Sequence, residues 1–320
     1  MKNKILNILL NSDAYVSGEK ISKTLGISRN SIWKHINKLK NEGYVIDSVP
    51  NKGYKLTKRA DVIEPSLISP NRGFIKEVIY FDEIDSTNNA AKKAAVECNT
   101  LFIADCQTSG RGRTGREWAS AKGCGIWMSI VTLPKISIEK IMQITLVTGI
   151  AVCETVKRMF VLDSQIKWPN DIVIDGKKLC GILTEAVMEE QTVTKIINGI
   201  GINVNAEKFP ENISDTATSL YLITGKKSVR TDIVNGILES FEKYYTMLID
   251  KENTAEIIEK YKSLCVNIGK RVVSVGKNET TEGTAIDISP AGELIIEKDD
   301  GTTVCVNAGE VSVRGIYGYI

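Results

Sequence analysis

The sequence predicts a multidomain α+β protein. Three observations predict it: a length of 320 residues, a basic bias confined to the first 60, and two changes of periodicity along the chain. That length suits two or three domains, and 42% hydrophobic residues with 25% charged are enough to build sizeable cores. Residues 1–60 carry 12 Lys and Arg against 4 Asp and Glu, while the remainder carries 29 against 35. A small basic module on a mildly acidic body directs a polyanionic partner to the first part alone. No secretion signal is visible, because Asn3 and Asn7 break the apolar stretch between Met1 and Leu10. The longest uncharged apolar-rich run, Ile141 to Cys153, falls short of the roughly 20 helical residues that cross a bilayer. The seven cysteines include no Cys-x-x-Cys pair, which speaks against a disulfide framework or zinc site and for a reducing cytoplasm.

Taken in order, Ile5, Leu6, Ile8, Leu9 and Leu10 form a short helix that Asn11-Ser12-Asp13 stops. Ser17 caps a helix over Gly18 to Leu25, since its hydroxyl accepts a first-turn N–H. Gly26 ends that helix at the left-handed position of a sharp turn. Ser28 caps the next helix, whose apolar Ile32, Ile36 and Leu39 recur at spacings of four and three. Helix, tight turn and helix are followed by a hairpin from Tyr44–Asp47 to Gly53–Leu56 across Pro50-Asn51-Lys52. Together they read as a winged helix-turn-helix. Its second helix presents Arg29, Asn30, Ser31, Lys34 and Lys38: polar residues near its N-terminus for base edges, lysines for phosphates. The competing reading is a helical interaction module with a solvated basic face. His35 is the only histidine, so it reads as a surface or packing residue rather than a catalyst. Lys58 to Asn71, with Pro65 and Pro70, has linker chemistry and marks a boundary.

Strands and helices then intermix. Val78–Phe81 and Leu101–Ala104 are short strands, separated by Asp85-Ser86-Thr87-Asn88 and a helical run of Ala and Lys. Ile126–Leu133 alternates as a strand, and Ser137–Phe160 reads as one long buried helix. Ile166–Trp168, Ile172–Ile174, Leu179–Glu185 and Thr194–Val204 are further strands, two of them around the turn Asp175-Gly176. Helices over Asp232–Ile249 and Thr254–Leu264 precede five short strands: Arg271–Val275, Glu282–Ile288, Leu294–Glu297, Thr303–Val306 and Val311–Val313. Five short strands in about 50 residues make a small β-barrel.

Between the second strand and the third lies Gly110-Arg111-Gly112-Arg113-Thr114-Gly115-Arg116. It formally matches the dinucleotide pattern Gly-x-Gly-x-x-Gly, which must open a helix and be followed by an acidic residue about 20 positions on. Here Trp118-Ala119-Ser120 and Gly123-x-Gly125 follow, and no helical pattern begins. Glycines that let a backbone close over a ligand, with three arginine forks for phosphate oxygens, suit a nucleotide or phosphate loop. Such a loop is costly to order and is expected to be mobile without ligand. A solvated basic loop is the plainer alternative.

Further motifs narrow it. Lys167-Trp168-Pro169-Asn170-Asp171 is followed by Gly176-Lys177-Lys178-Leu179-Cys180-Gly181-Ile182 and Gly199-Ile200-Gly201-Ile202-Asn203. With Asp85–Asn88, Gln107 and the arginine loop, this set resembles the biotin–protein ligases along the whole chain, including the bifunctional kind that also represses biotin-synthesis genes. The resemblance implies a central mixed α/β biotin/lipoate-ligase-like catalytic domain (65–265) between the winged helix-turn-helix (1–64) and an SH3-like C-terminal barrel (266–320). It implies an enzyme that forms biotinyl-5′-AMP from biotin and ATP, with Mg²⁺ on the polyphosphate. Biotin then passes to a lysine of the biotin carboxyl carrier protein of acetyl-CoA carboxylase.

On this resemblance Ser86, Thr87 and Asn88 border the biotin rings and Gln107 contacts biotin. Arg111-Gly112-Arg113 covers biotin and the phosphates, and Lys178 reaches the reacting carboxylate and α-phosphate. Gly199 and Gly201 allow close approach in a string that ends at Asn203, and Gly181 of the Lys178 string is counted with the biotin and adenylate contacts. Asn203, Arg116 and Trp118 lie around the nucleotide. Arg113, Arg116 and Lys178 carry the charge neutralisation that joining a carboxylate to a phosphate demands. No nucleophilic side chain or resident metal is required. The resemblance further implies an adenylate-bound homodimer on operator DNA, and no membrane partner. Trp118 and Trp168 read more readily as core or scaffold than as ligand contacts, and Asn170 and Asp171 as groups that orient Lys167 or the loop. A lipoate ligase and a sensor-type transcription factor without catalysis are the rival functions.

Overall fold

The structure, a computed structural model, describes residues 1–69, 73–134, 136–190, 192–249, 253–276, 280–307 and 312–315. They form two compact units, Met1–Leu67 and Ile68–Ile320. In the first unit α1 (Lys2–Leu10), α2 (Gly18–Leu25) and α3 (Arg29–Asn41) precede a hairpin of β1 (Val45–Val49) and β2 (Gly53–Lys58). Ser17 Oγ accepts from the Lys20 N–H and Ser28 Oγ from the Ser31 N–H, while Gly26 takes the left-handed conformation at φ 67°. Ile5, Leu6, Leu9, Ile21, Ile32, Ile36 and Leu39 pack as one core, with Tyr44 and Ile46 closing it. The segment after β2 departs from its linker-like sequence. Ala60 joins this core, Val62 and Leu67 pack against it, and Asn3 Nδ2 donates to Glu64 Oε1 at 2.8 Å. Pro70 and Asn71 lie outside the described residues.

The second unit is built on a seven-stranded sheet and a five-stranded one. In chain order come β3 (Glu77–Phe81), α4 (Thr87–Lys93), β4 (Thr100–Ala104), β5 (Gly125–Thr132), α5 (Ile141–Phe160), β6 (Gln165–Lys167), β7 (Asp171–Ile174), β8 (Lys177–Glu189) and β9 (Thr192–Asn203). Then follow α6 (Leu220–Thr224), α7 (Arg230–Ile249) and α8 (Thr254–Leu264). The large sheet runs β3-β4-β5-β9-β8-β7-β6, parallel at β3–β4 and antiparallel elsewhere.

Successive strand residues face opposite sides, and the hydrogen bonds show which helix covers which. Thr184 of β8 and Asn198 of β9 connect to Thr145 of α5. The next residue on β8, Glu185, meets Asn88 of α4 instead, and a Cβ on Gly199, next to Asn198, would point at the same side chain. Helices α4 and α5 therefore lie on opposite faces. That cover explains a difference from the sequence reading: β5 does not alternate, because all eight of its residues are buried. The long helix starts at Ile141, after a 3-10 turn over Ile138–Lys140. Strands β8 and β9 reach further towards their shared turn than their apolar patterns suggest, since the ends carry Glu189 and Thr192 at exposed positions. Helix α6 has no counterpart in the sequence reading; its five residues are too few for a periodic signal.

Helix α4 is pinned at both ends. Ser86 Oγ accepts from the Asn89 N–H at its start, and Lys195 Nζ donates to the carbonyls of Ala91, Lys92 and Ala94 at 3.2, 3.1 and 3.0 Å at its end. A cation on the last carbonyls also complements the helix dipole. Below the sheet, Arg230 is 2% exposed and bonds Asp105 Oδ1 at 2.6 Å and the Gly125 carbonyl at 3.1 Å. Removing one partner of a buried ion pair costs about 3–5 kcal/mol. Asp105→Ala is expected to lose that much stability in urea denaturation; a loss below about 1 kcal/mol would contradict the assignment.

The small sheet holds β10 (Arg271–Val275), β11 (Thr280–Ile288), β12 (Leu294–Glu297), β13 (Thr303–Val306) and β14 (Ser312–Gly315). Its order is β13-β12-β11-β10-β14, the fifth strand returning beside the first as in SH3-like barrels. Val311, expected to open the last strand, lies outside the described residues. The turn Ser289–Gly292 docks on the large sheet. Trp168 Nε1 donates to the Gly292 carbonyl at 3.0 Å, Gln143 Nε2 to the Pro290 carbonyl at 2.8 Å, and the Trp168 N–H to Asn267 Oδ1 at 2.7 Å. Among the described residues no helix is long and apolar enough to cross a membrane.

Candidate functional site

A cleft of about 770 Å³ opens on the α4 side of the large sheet. Ser86, Thr87, Asn88, Gln107, Arg111, Gly112, Arg113, Arg116, Trp118, Lys178, Gly181, Gly199, Gly201 and Asn203 all border it. Its volume is that of a pocket for a small organic ligand. Its lining carries five cationic side chains, Arg111, Arg113, Arg116, Lys167 and Lys178, against the carboxylates of Glu117 and Asp171. The imbalance favours an anionic ligand.

The glycine–arginine loop folds back as a small hairpin around a 3-10 turn over Arg113–Gly115 and opens no α-helix. Gly112 N–H donates to the Arg116 carbonyl at 2.7 Å and Trp118 N–H to the Gly110 carbonyl at 2.9 Å, with Arg111 bridged to Glu117. Gly110 serves this fold rather than a phosphate: a Cβ there would lie 2.6 Å from the Trp118 carbonyl oxygen. Arg113 leaves the hairpin to donate from Nη1 to Asn170 Oδ1 at 3.0 Å. Asn170 is itself fixed, its Nδ2 donating to the Ile182 carbonyl at 2.7 Å and its carbonyl accepting from the Ile182 N–H at 2.9 Å. Burial lowers the Arg113 guanidinium from its ordinary value, with Asp171 opposing that shift. Asn170 thus holds the loop, as the orienting reading supposes.

Lys178 Nζ sits 2.7 Å from Asp171 Oδ1 and 5.1 Å from the centroid of the Trp118 ring. The floor beneath them is bare. Gly181 and Gly201 face each other across β8 and β9, and a Cβ on Gly201 would stand 2.5 Å from Trp118 Nε1. A Cβ on Gly181 would stand 2.9 Å from the same ring and 3.2 Å from Lys178. Among the described residues the buried Trp118 Nε1 has no hydrogen-bond partner and so keeps a donor for a ligand. Trp168 is 1% exposed and spends its N–H on Gly292, so the scaffold reading fits it.

At the other end Gln107 Oε1 accepts from the Thr87 N–H at 2.8 Å, and its Nε2 donates to Ser120 Oγ at 3.0 Å. Sequence reasoning missed Phe209, Asn212, Ile213, Thr216 and Ala217, which line the cleft beside Lys178. Thr216 accepts from the Lys178 N–H at 2.7 Å, and Thr218 N–H donates to the Lys178 carbonyl at 2.9 Å. Val275 of the small sheet also borders the cleft. Burial pushes the Cys153 thiol up to about 12 and Cys180 well above its ordinary value, so both act as packing residues.

In the first unit Arg29, Asn30, Lys34 and Lys38 are exposed on α3, while Ser31 and His35 are half-buried. Trp33, which the apolar periodicity passes over, is 55% exposed on the same helix.

A cationic ligand cleft on a mixed sheet, in one chain with a winged helix-turn-helix, defines a ligand-processing domain joined to a DNA-binding one. Residues 79–203 match the biotin/lipoate A/B protein ligase family, residues 2–55 an HTH domain, and residues 268–314 the biotin protein ligase C-terminal domain. The bifunctional ligase/repressor BirA of Bacillus subtilis is 40% identical over 297 residues, covering 90% of each chain. BirA of Escherichia coli is 27% identical over 313 residues, covering 97% of this chain and 96% of its own. The biotin protein ligase of Aquifex aeolicus, solved in complex with biotin and ATP, superposes with a TM-score of 0.68 at 33% identity. It matches over 75% of this chain and 100% of its own. The chain belongs to the bifunctional biotin ligase/repressor family.

Proposed function

We propose that this protein joins biotin to ATP, giving biotinyl-5′-AMP and pyrophosphate, then transfers biotin to a lysine of the carboxyl carrier protein of acetyl-CoA carboxylase. The adenylate-bound homodimer binds operator DNA and represses biotin-synthesis genes. The observation that carries the reading is the cationic cleft that brings Arg113, Arg116 and Lys178 together with Thr87 and Gln107.

An oxygen of the biotin carboxylate attacks the α-phosphorus, and the bond to the β-phosphate oxygen breaks as pyrophosphate leaves. The carrier amine then attacks the acyl carbon and AMP departs. Both substrates are anions, so the barrier falls chiefly through cations already in place. Lys178 is suited to the carboxylate and α-phosphate, Arg113 and Arg116 to the polyphosphate. Mg²⁺ arrives as part of the nucleotide substrate. Ser86, Thr87, Asn88 and Gln107 offer the ureido ring its donors and acceptors. Gly199 and Gly201 leave room for the ligand, and Trp118, Gly181 and Asn203 border the nucleotide. The Arg111–Gly112–Arg113 hairpin covers the adenylate and keeps water out.

The working division is DNA binding by residues 1–64, chemistry by 65–265 and closure of the cleft by 266–320. The cytoplasm supplies ATP and the carrier. Pyrophosphate release that requires biotin and is unmoved by lipoate tests the enzyme; release without biotin, or driven equally by lipoate, would overturn it.

On α3, Arg29, Asn30 and Ser31 face base edges while Lys34 and Lys38 meet phosphates. Trp33 gives a direct readout, since it is 55% exposed whereas Trp127 and Trp168 are fully buried. Operator DNA is expected to quench its emission in the adenylate-bound protein, and Trp33→Phe to abolish that change. Quenching that persists in Trp33→Phe would place the DNA elsewhere.

A further inference from the structure

The proposed reaction asks one cleft to accept substrates of opposite charge. Biotin and ATP are anions and suit a lining that holds Arg111, Arg113, Arg116, Lys167 and Lys178. The carrier's lysine arrives as an ammonium, because an ordinary lysine titrates at about 10.4. It must enter after pyrophosphate has left, and the cations of the lining repel it. Among the described residues two carboxylates border the cleft, Asp171 and Glu117. Asp171 is committed: its side chain is 15% exposed and its Oδ1 lies 2.7 Å from Lys178 Nζ. Glu117 is exposed, and among the described residues its carboxylate makes no ion pair or hydrogen bond, although Arg111, Arg113 and Arg116 precede it on the same hairpin. The charges that act on Arg113 are those of Asp171 and Arg116.

The backbone explains why Glu117 stands apart. Trp118, the next residue, lies over Gly181 and Gly201 on the floor. Successive residues of an extended chain face opposite ways, so Glu117 is turned from the floor to the rim, beside its bridge partner Arg111. A free carboxylate there opposes both anionic substrates and assists only a cation. We infer that Glu117 receives the lysine of the carrier: its carboxylate draws the ammonium in past the cations of the lining. The ion pair forms at an exposed rim, so it acts on capture rather than on the later bond-making. The ammonium then gives its proton to water, and the neutral nitrogen attacks the acyl carbon as AMP leaves.

This rests on the reading of the cleft as a biotin–ligase site. The whole protein with biotin and Mg·ATP allows three measurements: the pyrophosphate burst without acceptor, capture of the adenylate by hydroxylamine, and transfer to purified carrier protein. Hydroxylamine is an uncharged nucleophile and has no need of Glu117. Glu117→Gln should leave the burst and the hydroxamate yield within about twofold of wild type. Its KM for the carrier should rise roughly three- to fivefold with little change in kcat. Glu117→Asp, which keeps the charge, should recover most of that loss. The gap between wild type and Glu117→Gln should close at about 0.5 M salt, where exposed charges are screened. An unchanged carrier KM in Glu117→Gln, or a gap that salt does not narrow, overturns the inference and leaves the ligase standing. A hydroxamate yield that falls with carrier transfer also overturns it, since Glu117 would then serve the adenylate itself. Wild type that releases no pyrophosphate in response to biotin overturns the ligase reading, and this inference with it.

Discussion

Lys178→Met is expected to slow biotin-dependent pyrophosphate release by roughly 10²–10³-fold, the loss seen when one preorganised charge-stabilising group is removed from an active site. The geometry gives the reason. Lys178 Nζ is held 2.7 Å from Asp171 and across the face of Trp118, at the junction between the ring-binding end and the arginine hairpin. Its charge is therefore fixed before substrate arrives and costs no reorganisation when the carboxylate meets the phosphate. Methionine keeps the length and packing, so biotin affinity measured without ATP should change little. A rate within fivefold of wild type would remove Lys178 from the chemistry, and an equal loss in biotin affinity would make it a binding residue instead.

The second large effect is expected from Gly201→Ala. A methyl group there meets Trp118 Nε1 at 2.5 Å and Cε2 at 2.7 Å. Strand β9 is central in the sheet and held on both edges by β5 and β8, so the indole must move. It moves into the space above the Gly181–Gly201 floor, where the nucleotide is proposed to lie. The ATP KM should rise at least tenfold, while circular dichroism and the melting curve stay near wild type. An unchanged KM would place the nucleotide away from this floor.

Much of this site was legible because its chemistry sits in short strings. Ser86-Thr87-Asn88 begins a capped helix, and Lys178, Gly181, Gly199 and Gly201 lie on adjacent strands whose register brings them together. What stayed hidden depends on register or on sparse contacts. Nothing local marks Ser129, a small polar residue in an apolar strand whose hydroxyl reaches Thr87 and Asn88. The wall from Phe209 to Ala217 holds no regular element to announce it. Gly110 was read as flexibility for a ligand, yet it permits a close backbone crossing, which spacing alone does not distinguish. The arginine hairpin, expected to be costly to order, has an internal ladder and an anchor at Asn170 that reduce that cost.

Trp168 bears on how the second unit melts. Its backbone and indole N–H groups are both committed to the small sheet, through Asn267 and Gly292, while the next residues but one supply Asn170 and Asp171 to the cleft. Unfolding of the small sheet therefore strips two buried donors of their acceptors beside the cleft. The two sheets should consequently melt as a single cooperative transition, and a ligand held in the cleft should slow amide exchange in β10–β13 as well as in the large sheet.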